Sequence, residues 1–187
     1  GRLDHFCGKN PMNAETPTKP AMDAETLEFI RGLFALVREG DTEQLGAMVA
    51  KGVPVNFRNE KGDSLIMLAS YHGHLATSRL LLEAGADANV ANDQGQTPLA
   101  GVAYKGYLDI AELLLQHGAK VEGGSPDGKT PLMMAAMFNR LAILELLLKH
   151  GARIDAVDSR GMTAVSLART MNAADTLAHL TGLGQTV

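Results

Sequence analysis

One octapeptide pattern occurs three times in this chain at a constant interval. LLLEAGAD begins at Leu80, LLLQHGAK at Leu113 and LLLKHGAR at Leu146, so successive copies lie 33 residues apart. A fixed period of this length indicates a repeat architecture, in which each copy is one small structural unit. We therefore expect a stack of similar units rather than one irregular core.

The full repeat is longer than the octapeptide, and five copies share one register. Three clear copies begin at Asn59, Asn92 and Ser125, a fading copy begins at Asp158, and a faint first copy spans Leu33 to Asn56. The first and last copies lack parts of the pattern, as terminal repeats do when one of their sides faces solvent. As whole units, the predicted repeats are about 22–56, 57–89, 90–122, 123–155 and 156–183.

Each copy has the pattern of a turn, a short helix, a tight loop and a longer helix. Thr97-Pro98 places a capping hydroxyl before a proline at the first helical position, which indicates a helix start. Gly106 permits left-handed backbone in the loop between the helices, and Asn139 stands at the same place in the next copy. Gly118 is expected to end the longer helix.

The longer helix carries an apolar stripe that predicts which residues are buried. Ile110, Leu113 and Leu114 form this stripe in one copy. Their counterparts in the next copy are Ile143, Leu146 and Leu147. Helices this short are marginal alone, because nucleation is costly and an uncovered stripe stays in water. Neighbouring copies cover each other's stripes, so the sequence predicts an all-α solenoid.

These motifs resemble the ankyrin repeat, whose 33-residue unit carries T-P-L-H-x-A before a Gly-His loop and ends in L-L-L-x-x-G-A. Thr97-Pro98-Leu99, Gly73-His74 and residues 80–87 lie near that consensus. The resemblance extends from about Leu33 to Leu180. It implies stacked helix-loop-helix units joined by β-hairpin-like turns.

The chain departs from the family pattern at three kinds of position, one of which is the proline of the first helix, replaced by Leu65 and Ala164. The motif histidine, which in the family hydrogen-bonds within and between repeats, is replaced by Met67, Ala100, Met133 and Ser166. The family's turn asparagine is kept in two copies and replaced in two, at Asn56, Asn89, Glu122 and Asp155. The resemblance therefore implies that packing holds the inner helices more than usual.

The chain before the clear copies is predicted to have two parts. Residues 22–39 are expected to form one longer first helix, capped by Asp23. Residues 1–21 contain three prolines and little apolar periodicity, so they are interpreted as a disordered leader or an expression remnant. Residues 22–187 are then interpreted as a single ankyrin-repeat domain.

Composition narrows the classes of partner and the cellular setting. The net charge of −4 argues against a nucleic-acid partner, and no apolar run reaches the length of a membrane span. No secretory signal is visible. Cys7 is the only cysteine, so neither an intrachain disulfide nor a thiol cluster is possible. We expect a cytoplasmic monomer that contacts neither nucleic acid nor membrane.

The resemblance also implies where a partner binds. In the family, partners dock on the concave face, formed by the hairpin tips and the exposed side of each first helix. The two positions before the inter-helix loop residue normally point there, and in this chain they are Tyr71, His72, Tyr104, Lys105, Met137, Phe138, Thr170 and Met171. Exposed aromatic residues in a row favour recognition. The alternative is that they pack laterally between neighbouring short helices.

The hairpin tips supply charged residues of both signs. They are Arg58, Glu60, Lys61, Asp93, Gln94, Asp127, Ser159 and Arg160. For any single one of them a solvated turn is the simpler interpretation. As a rim around the aromatic row they would tune specificity and association rate more than affinity.

The residues also bear on two further classes of site, a metal site and an enzyme active site. A metal site is suggested by two histidine pairs, His72 with His74 and His117 with His150. No carboxylate or thiol is placed to complete a tetrahedral site. His117 and His150 fit helix C-termini, where the dipole favours them. No G-x-S-x-G elbow or phosphate-binding glycine loop is present, so no enzyme activity and no cofactor are expected.

The sequence therefore predicts a protein that binds another protein on its concave face by rigid presentation. The alternative is a small-molecule or metal-responsive protein that uses the same groove, and self-association is a third possibility. Met133, Met134 and Met137 share one short helix, where they either fill the core or form an oxidation-sensitive patch.

Overall fold

A computed structural model describes residues 23–123 and 125–186. The predicted leader, residues 1–21 with Cys7, lies outside the described residues. The described residues divide into two units, one ending at Arg31 and the other beginning at Gly32. In the first unit, the Asp23 carboxylate accepts a hydrogen bond from the Thr26 N–H at 2.7 Å, as expected of a helix cap. The repeats from residue 57 onward lie in the second unit.

Ten α-helices are found in the described residues, and each repeat contributes two. The inner helices are α1 (Ala24–Glu39), α3 (Leu65–Tyr71), α5 (Pro98–Lys105), α7 (Pro131–Met137) and α9 (Ala164–Thr170). The outer helices are α2 (Thr42–Ala50), α4 (Leu75–Glu83), α6 (Leu108–Gln116), α8 (Leu141–Lys149) and α10 (Ala174–Gly182). From α2 onward, each helix packs beside its counterpart in the next repeat. The predicted all-α repeat solenoid is confirmed.

The inner helices from α3 onward are capped at their N-termini by hydroxyl side chains, and the motif histidine is absent from all of them. The Thr97 hydroxyl accepts from the Ala100 N–H at 3.3 Å, and the Thr130 hydroxyl accepts from the Met133 N–H at 3.2 Å. Ser64 caps α3 in the same way. Met133, which stands at a motif-histidine position, is buried in the core. These helices are held by a capping hydroxyl and by apolar packing.

Left-handed residues make the loops between inner and outer helices, as the sequence predicts. Gly106 has φ +87° and Asn139 has φ +60°. Asn139 adds a second role, because its Oδ1 accepts from the N–H groups of Asp175 at 2.9 Å and Thr176 at 3.1 Å. The asparagine of one repeat therefore caps the outer helix of the next repeat.

At three interfaces, the residue that precedes the outer helix packs over the loop of the repeat before it. His74 lies over Gly40, where an added Cβ would be 2.6 Å from His74 Nδ1. Arg140 lies over Gly106 in the same way, with a distance of 2.9 Å. His74 Nε2 is 2.7 Å from the Arg38 carbonyl oxygen, so this contact also links adjacent repeats by a hydrogen bond.

The buried stripe of the outer helices differs from the predicted one at a single position. Ile110, Leu113 and Leu114 are buried in α6 as predicted. In α8 the buried residues are Ile143, Leu144 and Leu147. The prediction for Leu146 is wrong, since this side chain is half-exposed. It lies at the edge of the stripe, as does Leu80 at the same register in α4.

The turns between repeats are β-hairpin-like and contact one another. The Asn92 N–H donates to the Gln96 carbonyl at 2.9 Å and closes one turn. The Asp93 N–H donates to the Lys61 carbonyl of the preceding tip at 3.1 Å. The tips of repeats 57–89 and 90–122 are therefore joined by a backbone hydrogen bond, which fixes the positions of these two hairpin tips relative to each other.

Candidate functional site

Three aromatic side chains from consecutive repeats form a row along the inner helices. The ring centroids of Tyr71 and Tyr104 lie 6.5 Å apart, with planes inclined by 5°. The Tyr104 and Phe138 rings meet edge to face, with centroids 4.6 Å apart and planes at 87°. Both distances fall within the range favoured for aromatic pairs. We refer to Tyr71, Tyr104 and Phe138 as the aromatic ladder.

The aromatic ladder packs laterally and also keeps surface in contact with solvent. Tyr71 is 38% exposed and Tyr104 is 37% exposed. Phe138 is half-buried, immediately after α7. The two interpretations of these residues are therefore compatible, because ring-to-ring packing orders the side chains without covering them. An ordered and exposed aromatic surface is the kind that binding partners use.

An open groove lies between the aromatic ladder and the hairpin tips. It has a volume of about 630 Å³. Apolar side chains form most of its floor, and Gln94, Asp127 and Lys129 stand on the tip side. The floor residues beside the aromatic ladder are Met67, Pro98, Ala100, Gly101, Met134 and Met137. We call this space the ladder groove.

A second, more polar groove adjoins the first at the repeat 57–89. Its volume is about 610 Å³, and Tyr71, Met67 and Gln94 line both grooves. Its other lining residues include His72 on the helix side and Glu60, Lys61 and Asp93 on the tip side. Nine predicted site residues line these two adjoining grooves, namely Lys61, Tyr71, His72, Asp93, Gln94, Tyr104, Asp127, Met137 and Phe138.

Gly101 belongs to the site and was missed by sequence reasoning. It lies inside α5, where a Cβ would come within 3.3 Å of Tyr71 Cδ1. The tyrosine ring therefore lies against bare helix backbone. The sequence did contain a signal for this contact. A glycine inside a helix destabilises the helix by about 1 kcal/mol relative to alanine, so its presence indicates that another group packs closely against the helix backbone.

The three methionines of α7 divide between core and groove. Met133 is 1% exposed and belongs to the core. Met134 and Met137 are half-buried and line the ladder groove. Met134 was not predicted as a site residue. Flexible thioether side chains on the floor allow the groove to adapt to the shape of an apolar group.

Four predicted site residues, Arg58, Lys105, Arg160 and Met171, line neither groove, and Met171 and Arg160 also lie away from the aromatic ladder. Met171 is exposed after α9 and lines neither groove. Arg160 is exposed at the last hairpin tip, where its N–H donates to Asp158 Oδ1 at 2.9 Å. The structure therefore does not bring these two residues together with the aromatic ladder.

Arg58 holds neighbouring tips together. Its Nη2 donates to the Ala91 carbonyl at 2.7 Å, and its Nε donates to the Gly62 carbonyl at 3.0 Å. Its guanidinium is also 4.0 Å from the Asp93 carboxylate. Much of its hydrogen-bonding capacity is used within the fold, so Arg58 acts as a link between two hairpins.

Asp127 is held by its own turn. Its carboxylate accepts from the Ser125 hydroxyl and from the Lys129 N–H, and these hydrogen bonds hold its pKa below the usual value of 3.8. The residue stays exposed on the tip side of the ladder groove. Lys129 Nζ lies 3.3 Å from this carboxylate, so Asp127 and Lys129 face the groove as a pair of opposite charges.

Lys129 and Asp158 form a pair that sequence reasoning missed. Lys129 Nζ lies 3.0 Å from Asp158 Oδ2, and the Asp158 side chain is 1% exposed. The Asp158 pKa is lowered chiefly by the Met162 N–H and further by Lys129. The pKa of Lys129 is raised, chiefly by Asp158. The pair joins two consecutive hairpin tips.

Cationic groups gather at the helix side of the grooves. Lys105 Nζ lies 4.8 Å from the centroid of the Tyr71 ring, within the range of a cation–π contact. The pKa of His72 is lowered by partial burial first, and then by the positive charges of His74, Lys105 and Arg38. His72 is therefore more fully neutral at pH 7 than an ordinary histidine.

Neither a metal-binding cluster nor a membrane-spanning helix occurs in the described ranges, 23–123 and 125–186. In these ranges no three histidine, cysteine or acidic side chains are grouped to hold a metal ion. His117 and His150 follow α6 and α8, and their N–H groups donate to carbonyls of the last helical turn. Within the same ranges, every helix is too short or too polar to cross a bilayer.

Comparisons with known proteins agree with this geometry. A model of three ankyrin repeats matches residues 33–124, and a model of one ankyrin repeat matches residues 127–159. A Pseudomonas aeruginosa protein named as an ankyrin repeat protein is 55% identical over 62 residues. The match covers 33% of this chain and 36% of that relative, so it spans only about a third of the relative's length. The chain belongs to the ankyrin-repeat family.

Proposed function

We propose that this protein binds another protein in the ladder groove. Ankyrin repeats generally mediate protein–protein interaction, and the family is typically non-enzymatic. The observation that carries the proposal is the ordered and exposed stack of Tyr71 and Tyr104, beside an apolar groove of about 630 Å³. Few side chains need to be ordered when a partner enters such a surface, so little binding energy is lost.

The aromatic ladder supplies the anchors in this proposal. Buried tyrosines at interfaces are enriched among residues whose truncation costs about 2 kcal/mol or more. Tyr104 lies at the centre of the row, since it contacts both Tyr71 and Phe138. Loss of Tyr104 therefore removes its own contact with the partner and disorders both neighbouring rings.

The tip residues have a different role in the proposal. Lys61, Asp93, Gln94 and Asp127 line the grooves from the tip side, where solvent reaches them. Exposed charges at a rim select partners and set the association rate, while contributing little to affinity. Single substitutions among these tip residues are expected to change the salt dependence of binding more than its strength.

The proposal is tested by affinity capture from the source lysate with matched variants. Tyr104→Ala combined with Phe138→Ala removes two anchors, and Ala100→Arg fills the groove without removing an aromatic ring. His150→Ala, at an exposed turn after α8, is the control. We expect one protein to be captured by the wild type and the control, and to be lost with both groove variants. Circular dichroism and thermal unfolding verify that all variants fold.

Other outcomes would contradict the proposal. Capture that survives in both groove variants places the binding site elsewhere. Recovery of only a second copy of this chain indicates self-association. A rise of several degrees in Tm with a metal ion or a common metabolite, abolished by Ala100→Arg, favours small-molecule binding in the groove, because only native-state binding raises stability in this way.

A further inference from the structure

We infer that the segment bound in the ladder groove is an acidic peptide, with one aromatic or long aliphatic side chain flanked by aspartate or glutamate. This inference rests on the proposed function and adds the chemistry of the partner. It follows from the distribution of charge on the concave surface.

From α3 onward, the helix side of the concave surface is free of carboxylates. Four segments, each an inner helix with the loop that follows it, contain no aspartate and no glutamate. They are 65–74, 98–107, 131–140 and 164–173. The same segments carry three cations, Lys105, Arg140 and Arg169. The whole chain has 21 acidic and 17 basic residues, so this surface has the opposite charge to the rest of the molecule.

Two of these cations are held next to the aromatic ladder. Lys105 Nζ lies over the Tyr71 ring at 4.8 Å. Arg140 donates from Nε to the Tyr104 carbonyl at 3.1 Å, which fixes its guanidinium beside the central rung. In the part of the chain that the structure describes, neither cation forms an ion pair. Both are therefore available to a carboxylate of the partner.

The geometry favours carboxylates on either side of an apolar anchor. An anchor on Tyr71 and Tyr104 has Lys105 near the Tyr71 ring and Arg140 at the backbone carbonyl of Tyr104. The Nη groups of Arg140 have no protein partner among the described residues, and a guanidinium binds a carboxylate through two parallel hydrogen bonds. An acidic residue before or after the anchor is thus matched by a cation that is already positioned.

The tip side of the grooves argues against a nucleic acid. The carboxylates on this wall, Glu60, Asp93 and Asp127, outnumber its lysines, Lys61 and Lys129, and Asp127 keeps its negative charge because its pKa is lowered. A phosphate backbone carries a charge at every nucleotide and would approach these carboxylates along its length. A peptide places its few carboxylates on the helix side alone.

The inference is tested by selecting peptides from a random display library on the wild-type protein. Binders that also bind the Tyr104→Ala, Phe138→Ala variant are discarded, so only peptides that depend on the aromatic ladder remain. We expect the remaining sequences to share an aromatic or aliphatic residue with neighbouring Asp or Glu. Fluorescence polarisation then measures the affinity of one such peptide.

Charge variants give the decisive comparison for that peptide. Lys105→Gln is expected to weaken binding roughly tenfold, the usual order for one lost charge-assisted contact. Binding to the wild type is expected to weaken as salt rises, and less so for the variant. Lys149→Gln, on the outer helix α8, is the matched control and is expected to leave the affinity unchanged.

Each remaining outcome has a distinct meaning. Peptides that depend on the aromatic ladder but are neutral or basic overturn this inference and leave the proposed function standing. A library that yields no ladder-dependent peptide counts against both. Displacement of the bound peptide by a random-sequence single-stranded oligonucleotide at equal concentration overturns the inference in favour of nucleic acid.

Discussion

Asn89 hydrogen-bonds Lys120 of the next repeat, with its Oδ1 2.8 Å from the Lys120 backbone nitrogen. Its Nδ2 also donates to the Gly118 carbonyl at 2.9 Å. Asn56 makes the same two contacts one repeat earlier, with the Asp87 N–H and the Gly85 carbonyl. An asparagine at this position therefore joins adjacent repeats through a donor and an acceptor together.

Glu122 occupies this position in the following repeat and fulfils only half of the role. Its carboxylate accepts from the Arg153 N–H at 2.6 Å, but it has no N–H to donate. We predict that Glu122→Asn raises the free energy of unfolding by about 0.5–1.5 kcal/mol, the usual net value of one added hydrogen bond. Urea unfolding measures the change. Asn89→Asp, which removes the donor, is expected to lower stability, and a stabilising effect there would contradict the account.

Asn139 and Ala173 are predicted to be coupled. Elsewhere a glycine in the loop is matched by a large residue before the next outer helix, as with Gly73 and Tyr107. At the last interface the large and small residues are exchanged. We expect Ala173→Tyr alone to destabilise by about 1–3 kcal/mol through overpacking against Asn139.

Adding Asn139→Gly to Ala173→Tyr is expected to recover part of that loss. Recovery stays incomplete, because the caps on the N–H groups of Asp175 and Thr176 disappear. A double-mutant cycle in urea measures the interaction, with an expected coupling of about 0.5–3 kcal/mol. Additive effects would show that the two positions do not share the space.

Ser78 is predicted to tolerate loss of its hydroxyl. Its Oγ is buried in α4 and has no hydrogen-bond partner among the described residues. The same register position in α6 is Ala111, which is fully buried. Ser78→Ala is therefore expected to be neutral or to stabilise by up to about 1 kcal/mol, because it removes an unsatisfied buried group.

Thr77 provides the contrast for this test. Its hydroxyl is 2.8 Å from the Thr42 hydroxyl of the preceding repeat. Thr77→Val breaks this contact and is expected to cost about 1 kcal/mol or more. Equal losses in Ser78→Ala and Thr77→Val, measured by thermal unfolding, would contradict the assignment of Ser78 as unpaired.

Asp158 is predicted to make stability depend on pH in the acid range. Its folded pKa is lowered below 3.8, so the unfolded chain binds more protons as the pH falls. The stabilisation is fully present above about pH 5 and is lost as the pH falls through about 4 toward the folded pKa. The difference in urea midpoint between wild type and Asp158→Asn should therefore shrink from pH 7 to pH 3.

Lys129→Met separates the effect of Lys129 on the Asp158 pKa from the effect of the Met162 N–H. The Met162 N–H is the larger cause and remains in that variant, so most of the pH dependence is expected to persist. Its complete loss would show that the ion pair with Lys129 dominates. A difference between wild type and Asp158→Asn that grows on acidification would contradict the sign of the argument.

Local signals were sufficient to predict much of the fold. Thr97-Pro98 starts α5, Gly106 and Asn139 have the left-handed backbone expected of them, and Gly118 has φ +91° after α6. These features depend on a few neighbouring residues, so one sequence contains the necessary information. The 33-residue period then determines which elements lie side by side.

Contacts between repeats depend on details that the period does not contain. Lys129 and Asp158 are 29 residues apart, and only the register of the tips brings them to 3.0 Å. Arg58 has the sequence pattern of an exposed tip residue, yet it bonds the Ala91 carbonyl. The stacking of Tyr71 on Tyr104 likewise depends on the gap left by Gly101.

Site-specific photo-crosslinking tests the central claim most directly. Benzoylphenylalanine replaces Tyr104 in one protein and the exposed His150 in another, and each is irradiated in the source lysate with its binding partner. The account predicts a crosslink to one partner protein from position 104 and none from position 150. A crosslink from position 150 with none from position 104 would contradict binding in the ladder groove.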